Sequence, residues 1–374
     1  MAPEMAGLRT TRRCATVRLM PASLTTDLQA DDLPRALLLA DFIRSHGQHY
    51  EIVRELGTGA SGRAHLAHDL RRRVSVCVKL YHDGVPAKGS DRDWHVTSTL
   101  KHPAVADTFT IEEFYSGERD CIAVVSRFIE GHSLKQMLQH LERAPKERQV
   151  DISIALLNSI YDDLCDGIIA CHEAGFGHGD LHCQNVIVCK RGPKLGAVII
   201  DFDNATIAAS SFDEHARFQR DIRSLRRLVG MITQGWKWHE ALQHLLDHHQ
   251  SVSALRHALH WSLEFLLSAD RRRGNATIGL QAFVDALYTH HRCLRPQQPE
   301  HADAVMDVIE LVAADIGLRS ELDEAKKSWE KRTRNRFTWF LPPRDPGVLE
   351  PLEAPLDEIW PSPNEALAGY HRRA

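Results

Sequence analysis

The sequence predicts an α+β protein of two lobes, a smaller β-rich one followed by a larger helical one. Short β-rich runs separated by glycine or charged turns fill roughly residues 50–129, whereas a long helix from 151 to 175 and helical patterning from Arg217 to about 290 dominate the rest. Strands first and helices second is the plan of an α+β fold rather than an alternating one. At 374 residues the chain has room for one large domain or two lobes.

Residues 1–30 have no clean periodicity and read as a flexible arm. "DDLPRALLLADFIRSHG" then predicts a short helix, with Asp32 near its start and Gly47 after its end. "YEIVRELG", "GRAHLAHD", "RRVSVCVKLY" and "CIAVVSRFI" are strands. "DISIALLNSIYDDLCDGIIACHEAG" is an amphipathic helix: Asp151 suits its N-cap, Ile152, Leu156, Ile160, Leu164 and Ile168 share a face, and Gly175 ends it. "NVIVCK" and "GAVIIDF" form two further strands joined by "RGPKLG". Helices follow beyond Arg217, and the stretch from Pro296 holds one more before a Pro- and acid-rich end that reads as extended.

Composition narrows the function classes. The chain is 43% hydrophobic and 26% charged, with a net charge of −4, a balance that argues against nucleic acid or an acidic membrane as partner. Two short basic clusters, Arg71-Arg72-Arg73 and Arg271-Arg272-Arg273, read as solvated surface. No run approaches the roughly 20 apolar residues of a membrane span. The basic N-terminus lacks the apolar stretch of a secretory signal. Eight cysteines, several inside apolar runs and none in a C-x-x-C pair, predict reduced, mostly buried thiols and a cytoplasmic location.

Three constellations carry chemistry. In "LGTGASGRA", Gly57, Gly59 and Gly62 lie between two strands, where backbone N–H groups can approach a phosphate. A plain hairpin turn is the alternative, and the strand that follows rules out a dinucleotide-binding helix. Lys79 is flanked by Val76, Val78 and Leu80, so its charge needs a partner unless it sits on a sheet edge. In "HGDLHCQN", Asp180 and Asn185 precede Asp201 at the end of an apolar strand. Two carboxylates and an amide are hard oxygen ligands suited to Mg²⁺ bridging phosphates. The spacing of His178, His182 and Cys183 fits no zinc pattern.

Together these motifs resemble the protein-kinase superfamily. Gly57-Thr58-Gly59-Ala60-Ser61-Gly62 resembles the loop over the ATP phosphates, and Val76-Cys77-Val78-Lys79 the strand lysine. His178-Gly179-Asp180-Leu181-His182-Cys183-Gln184-Asn185 resembles the catalytic loop, and Asp201-Phe202-Asp203 stands where D-F-G is expected. The resemblance covers about residues 50–290 and implies a bilobal kinase fold. It places an arm and short helix at 1–48, the N-lobe at 49–131, the C-lobe at 132–292, and a helix and tail at 293–374. It implies ATP and Mg²⁺ as cofactors, with Asp180 taking the acceptor's proton, Lys79 fixing phosphates, and Asn185 and Asp201 holding the metal. The hinge alignment assigns the adenine edge to the Arg127 carbonyl and the Ile129 N–H, with Ser126 as gatekeeper. Asp93 stands for the helical glutamate that pairs the lysine, its alternative role being to favour a helix N-terminus.

The departures bear on the acceptor. Gly179 replaces arginine, which removes a grip on a phosphorylated activation loop. Asp203 replaces glycine and either adds charge near the metal or caps the turn. "HGDLH", "DFD" and the short stretch to Asp221 resemble aminoglycoside phosphotransferases, a small-molecule alternative. "SRFIEGHSLKQML", "RDIRSLRRLVGMI" and the closing helices resemble bacterial eukaryotic-like serine/threonine kinases, and the expected acceptor is a protein. A pseudokinase scaffold is the third reading, with the C-terminal tail as a docking segment. His244 and His248, at helical spacing, read as helix surface.

Overall fold

A computed structural model describes residues 33–334 apart from 60, 82–97, 193, 208–210, 237–238, 248–250, 270–275, 289–304, 308, 311–312 and 315–316. The arm, Asp93, His248, the second arginine cluster and the tail therefore lie outside the described residues.

Helix α1 (Leu33–His46) leads into strands β1 (Tyr50–Thr58), β2 (Gly62–Asp69), β3 (Val74–Tyr81), β4 (Thr108–Ser116) and β5 (Arg119–Arg127). These form one antiparallel sheet in the order β1-β2-β3-β5-β4. Period-two alternation gives β3 its two faces. Val76, Val78 and Leu80 are buried on one side, and Cys77 and Lys79 look out from the other. The apolar face is closed by α1, whose Leu38 and Phe42 pack with Tyr50, Phe114 and Val125 in a core of their own. Phe42 is fully buried and meets Phe114 edge-to-face at 5.5 Å.

Strand β4 departs from the sequence reading, which had no element there. Glu112 and Glu113 interrupt its apolar alternation. The fold accommodates Glu112 by giving it the Tyr50 hydroxyl at 2.6 Å and the Arg71 guanidinium at 3.3 Å.

The second lobe follows with β6 (His132–Ser133), α2 (Leu134–Arg143), α3 (Lys146–Glu173), β7 (Phe176–Gly177), β8 (Val186–Arg191), β9 (Lys194–Ile199) and β10 (Thr206–Ile207). It continues with α4 (Ser211–Ile232), α5 (His239–Asp247), α6 (Val252–Ala269), α7 (Ala276–Tyr288) and α8 (Arg319–Arg334). Ser133 and Gln136 make a reciprocal capping box at the start of α2. The predicted stripe of α3 is buried in full, but the helix starts earlier than expected. Pro145 sits at its cap position and Asp151 lies inside it, so Asp151 is not the N-cap. Proline's fixed φ suits a helix entry, and the following residues continue the turn. Gly175, at φ +83°, ends the helix as predicted.

A separate and larger core joins α2–α8 with β8 and β9. Helix α8 belongs to it through Leu322, Ala325 and Trp329, the last stacked on Tyr288. The lobes are tied where residues 104–106 run parallel to β9: the Ile199 N–H donates to the Ala104 carbonyl at 2.8 Å and the Ala106 N–H to the Ile199 carbonyl at 2.9 Å. Among the described residues no helix is long and apolar enough to cross a membrane, and six cysteines carry no disulfide.

Candidate active site

The β1–β2 hairpin, the polar face of β3 and the loops before β8 and after β9 converge between the lobes. The glycine motif is a turn closed by the Gly59 N–H donating to the Gly62 carbonyl at 2.8 Å. Gly62 is required by packing, because a Cβ there would lie 2.2 Å from the Leu80 carbonyl oxygen on β3. At Gly59 the nearest atom to a Cβ would be 3.8 Å away, so the protein's own packing does not demand glycine there.

Lys79 projects from β3 and is only 16% exposed at its side chain. Its Nζ donates to Asp201 Oδ1 at 2.8 Å and to Asp203 Oδ2 at 2.6 Å. Burial pulls against its charge, but the two carboxylates outweigh that and hold its pKa above the usual lysine value. Asp201 has φ +63°, a left-handed conformation that aspartate tolerates better than most residues. Burial pushes the Asp201 carboxyl above its ordinary range, with Lys79 opposing. Burial also acts on Asp203, but Lys79 and the hydroxyls of Tyr81 and Ser61 prevail, so its carboxyl is held below the ordinary range. Those hydroxyls donate to Asp203 at 2.5 and 2.8 Å, respectively. Burial and the Asp203 charge push the Tyr81 phenol upward, which keeps it a neutral donor.

The catalytic-loop residues are held from below by Asp221 in α4. Its fully buried carboxylate accepts the N–H groups of His178 and Gly179, each at 2.9 Å, and faces His172 Nε2 at 3.0 Å. His178 is fully buried. Its Nδ1 accepts the Asp180 N–H and its Nε2 faces the Ile200 carbonyl, so a neutral ring protonated at Nε2 satisfies both. Burial lowers its pKa, in keeping with that neutral ring. The ring thus braces the loop from within.

Asp180 stands where this support ends. Its side chain is 43% exposed, and Oδ2 accepts the Asn204 amide N–H at 3.2 Å with His182 Nε2 at 3.8 Å. Asn185 is buried and donates from Nδ2 to the Asp180 carbonyl at 3.0 Å, which leaves Oδ1 as the amide end able to meet a cation. Gly179 explains the missing arginine. It has φ +78°, and a Cβ there would sit 2.4 Å from the Asn204 carbonyl oxygen. The loop after β9 therefore packs directly on the catalytic loop.

Lys79, Asp180, Asn185 and Asp201 thus share one cleft. Asn204, Tyr81 and Ser61 join them without having been picked out in the sequence. At the hinge, the Arg127 N–H donates to the Asp107 carbonyl at 2.8 Å, and Ile129 packs with Ala106, Cys189 and Val198 where the lobes meet. Ser126 is paired opposite Cys77 and hydrogen-bonded to it, and burial pushes that thiol up to about 11.

The donor set fits Mg²⁺ with a nucleotide: a carboxylate and an amide oxygen, completed by phosphate oxygens and water. Among the described residues no group of three or more His, Cys, Asp or Glu has the makings of an all-protein metal cage.

A five-stranded sheet over a helical lobe, with the Lys79–Asp201 pair and the 178–185 loop in the cleft, defines a protein-kinase-like fold. Residues 50–222 match the protein kinase domain family. Relatives include the serine/threonine-protein kinase PknD of Protochlamydia amoebophila, 27% identical over 49% of this chain and 20% of its own length. PknD of Chlamydia pneumoniae is 27% identical over 79% of this chain and 32% of its own. The serine/threonine-protein kinase pkn2 of Myxococcus xanthus is 28% identical over 44% and 19%, respectively. The chain thus spans between about a fifth and a third of the length of these relatives.

Proposed function

We propose that this chain is an ATP-dependent serine/threonine protein kinase that works with Mg²⁺ in the cytoplasm. The observation that supports this best is the convergence of Lys79 and Asp201 with Asp180 and Asn185 in one interlobe cleft. The naming of the relatives as serine/threonine-protein kinases supports the class of acceptor.

In this reading Asp180 orients the acceptor hydroxyl and takes its proton as the new O–P bond forms and the bond to the departing ADP breaks. Partial exposure leaves the Asp180 carboxylate open to an incoming hydroxyl, and Asn204 fixes its direction. Lys79 holds the α- and β-phosphates. Asn185 and Asp201 hold Mg²⁺, which when bound neutralises charge on the phosphate oxygens. Gly57, Gly59 and Gly62 cover the phosphates, and the Arg127 carbonyl and Ile129 N–H take the adenine edge. The C-terminal tail is a candidate docking segment for protein partners.

The test is transfer from γ-labelled ATP by the full chain beside Asp180→Asn. Label on serine or threonine, reduced by about a hundred-fold or more in the variant, is expected. Label only on a small molecule such as an aminoglycoside would overturn the protein acceptor. ATP binding with no transfer to any acceptor would overturn the enzyme.

A further inference from the structure

We infer that Asp203, the residue in place of the last glycine of D-F-G, is the positioning residue for Lys79, and that Tyr81 and Ser61 hold it in that role. The inference rests on the nucleotide-binding reading of the cleft.

An ammonium group has three N–H donors. Two of those on Lys79 are directed at Asp201 and Asp203, which leaves one for a phosphate oxygen. The two carboxylates are not equivalent. Asp201 Oδ1 meets Lys79, and the Asp201 carboxylate is the group a metal would use. Asp203 has both oxygens engaged by the protein, Oδ1 by the Tyr81 hydroxyl and Oδ2 by Lys79 and the Ser61 hydroxyl. A carboxylate so occupied is an anchor rather than a metal ligand. It keeps its grip on Lys79 when Asp201 turns to a cation.

The geometry follows from two matched spacings. Lys79 and Tyr81 are two apart on β3 and so point from the same face of the strand. Asp203 lies two residues after Asp201 in a loop whose left-handed turn at Asp201 brings both acids toward that face. Ser61 adds the tip of the β1–β2 hairpin to the same carboxylate. One side chain therefore joins the glycine-rich turn, the strand lysine and the metal-binding loop. Charge-assisted hydrogen bonds of this kind are about twice as strong as neutral ones.

The experiment measures Mg-ATP affinity by calorimetry, and transfer kinetics, for the full chain and three variants: Asp203→Asn, Lys79→Met and the Lys79→Met/Asp203→Asn double variant. Asparagine keeps the shape of Asp203 and loses the charge, so the fold is retained. Asp203→Asn is expected to weaken Mg-ATP binding by about ten-fold or more, raise KM for ATP and leave KM for the acceptor unchanged. In the Lys79→Met background the Asp203 change is expected to have no further effect, because Asp203 acts through the lysine.

Unchanged affinity in Asp203→Asn would overturn the inference. So would an equal further loss in the Lys79→Met background. A wild type that binds Mg-ATP but transfers no phosphate would refute the proposed activity and still decide this inference by the same affinities. A wild type that binds no nucleotide would overturn both.

Discussion

Replacing Gly179 by alanine separates two physical effects that usually arrive together. At φ +78° any side chain meets the left-handed penalty, of order 1–2 kcal/mol. The added Cβ also lies 2.4 Å from the Asn204 carbonyl oxygen, a distance no real Cβ sustains, so the loop after β9 must shift. Overpacking of this kind costs about 1–3 kcal/mol. Gly175 provides the control, because its φ of +83° is nearly the same while a Cβ there meets nothing within 4 Å. Gly175→Ala is expected to lose about 1–2 kcal/mol, and Gly179→Ala about 2–5 kcal/mol. Moving Asn204 also disturbs its bond to Asp180, and misplacing a reacting group by an ångström can lower the rate by about a hundred-fold. Denaturant midpoints for both variants, beside the phosphate-transfer rate, make the comparison. Equal stability losses at the two positions, with transfer intact in Gly179→Ala, would refute the claim that the catalytic loop and the post-β9 loop are packed through this glycine. Gly179→Arg is expected to be worse than alanine for the same reason.

Phe42→Ala is expected to cost about 3–5 kcal/mol, because Phe42 is fully buried against Tyr50 and Phe114; a loss under about 1 kcal/mol in denaturant unfolding would show that α1 does not complete the sheet's core. Ser126 is small and lies opposite Cys77, so the wild type is expected to accept an ATP analogue bulky at N6 and Ser126→Met to exclude it; equal exclusion by both would sink the gatekeeper assignment. His178 is buried with its pKa held below the ordinary value, so the unfolded chain takes up its proton first and stability falls as pH drops below about 6.5, by up to about 1.4 kcal/mol per pH unit from this residue. His178→Gln is expected to flatten that slope between about pH 7 and pH 5, and an unchanged slope would assign the pH dependence elsewhere.

What the sequence disclosed and what it hid divide along local and non-local physics. Strands β1, β2 and β3 were legible because period two and the flanking glycines are local signals, and β2 occupies the very run "GRAHLAHD". The α3 stripe was legible for the same reason, at period 3.6. Its start was misplaced because Asp151 has N-cap chemistry, whereas Pro145 sets the entry. Strand β4 was missed because Glu112 and Glu113 break its apolar alternation, and Glu112 finds its partners Tyr50 and Arg71 only in the fold. Lys79, Asp180, Asn185 and Asp201 were singled out through motif resemblance, and the fold brings them to one cleft. Tyr81 and Ser61 were not, since their bonds to Asp203 close loops of 122 and 142 residues and leave no mark in either segment.

The departures from the kinase motifs at 179 and 203 also cease to be separate oddities once Asn204 is placed. Gly179 lets the Asn204 backbone approach the catalytic loop, and the Asn204 side chain then reaches Asp180. The residue before it, Asp203, fastens the same loop to β3 and to the glycine-rich turn. Residues 203 and 204 are thus held without an arginine–phosphate grip. Displacing them would mean breaking the Lys79, Tyr81 and Ser61 bonds to one carboxylate together, and each donor left behind in the half-buried cleft would need a new partner. Any regulation of this chain is therefore better sought in access to the cleft than in the ordering of residues 201–204.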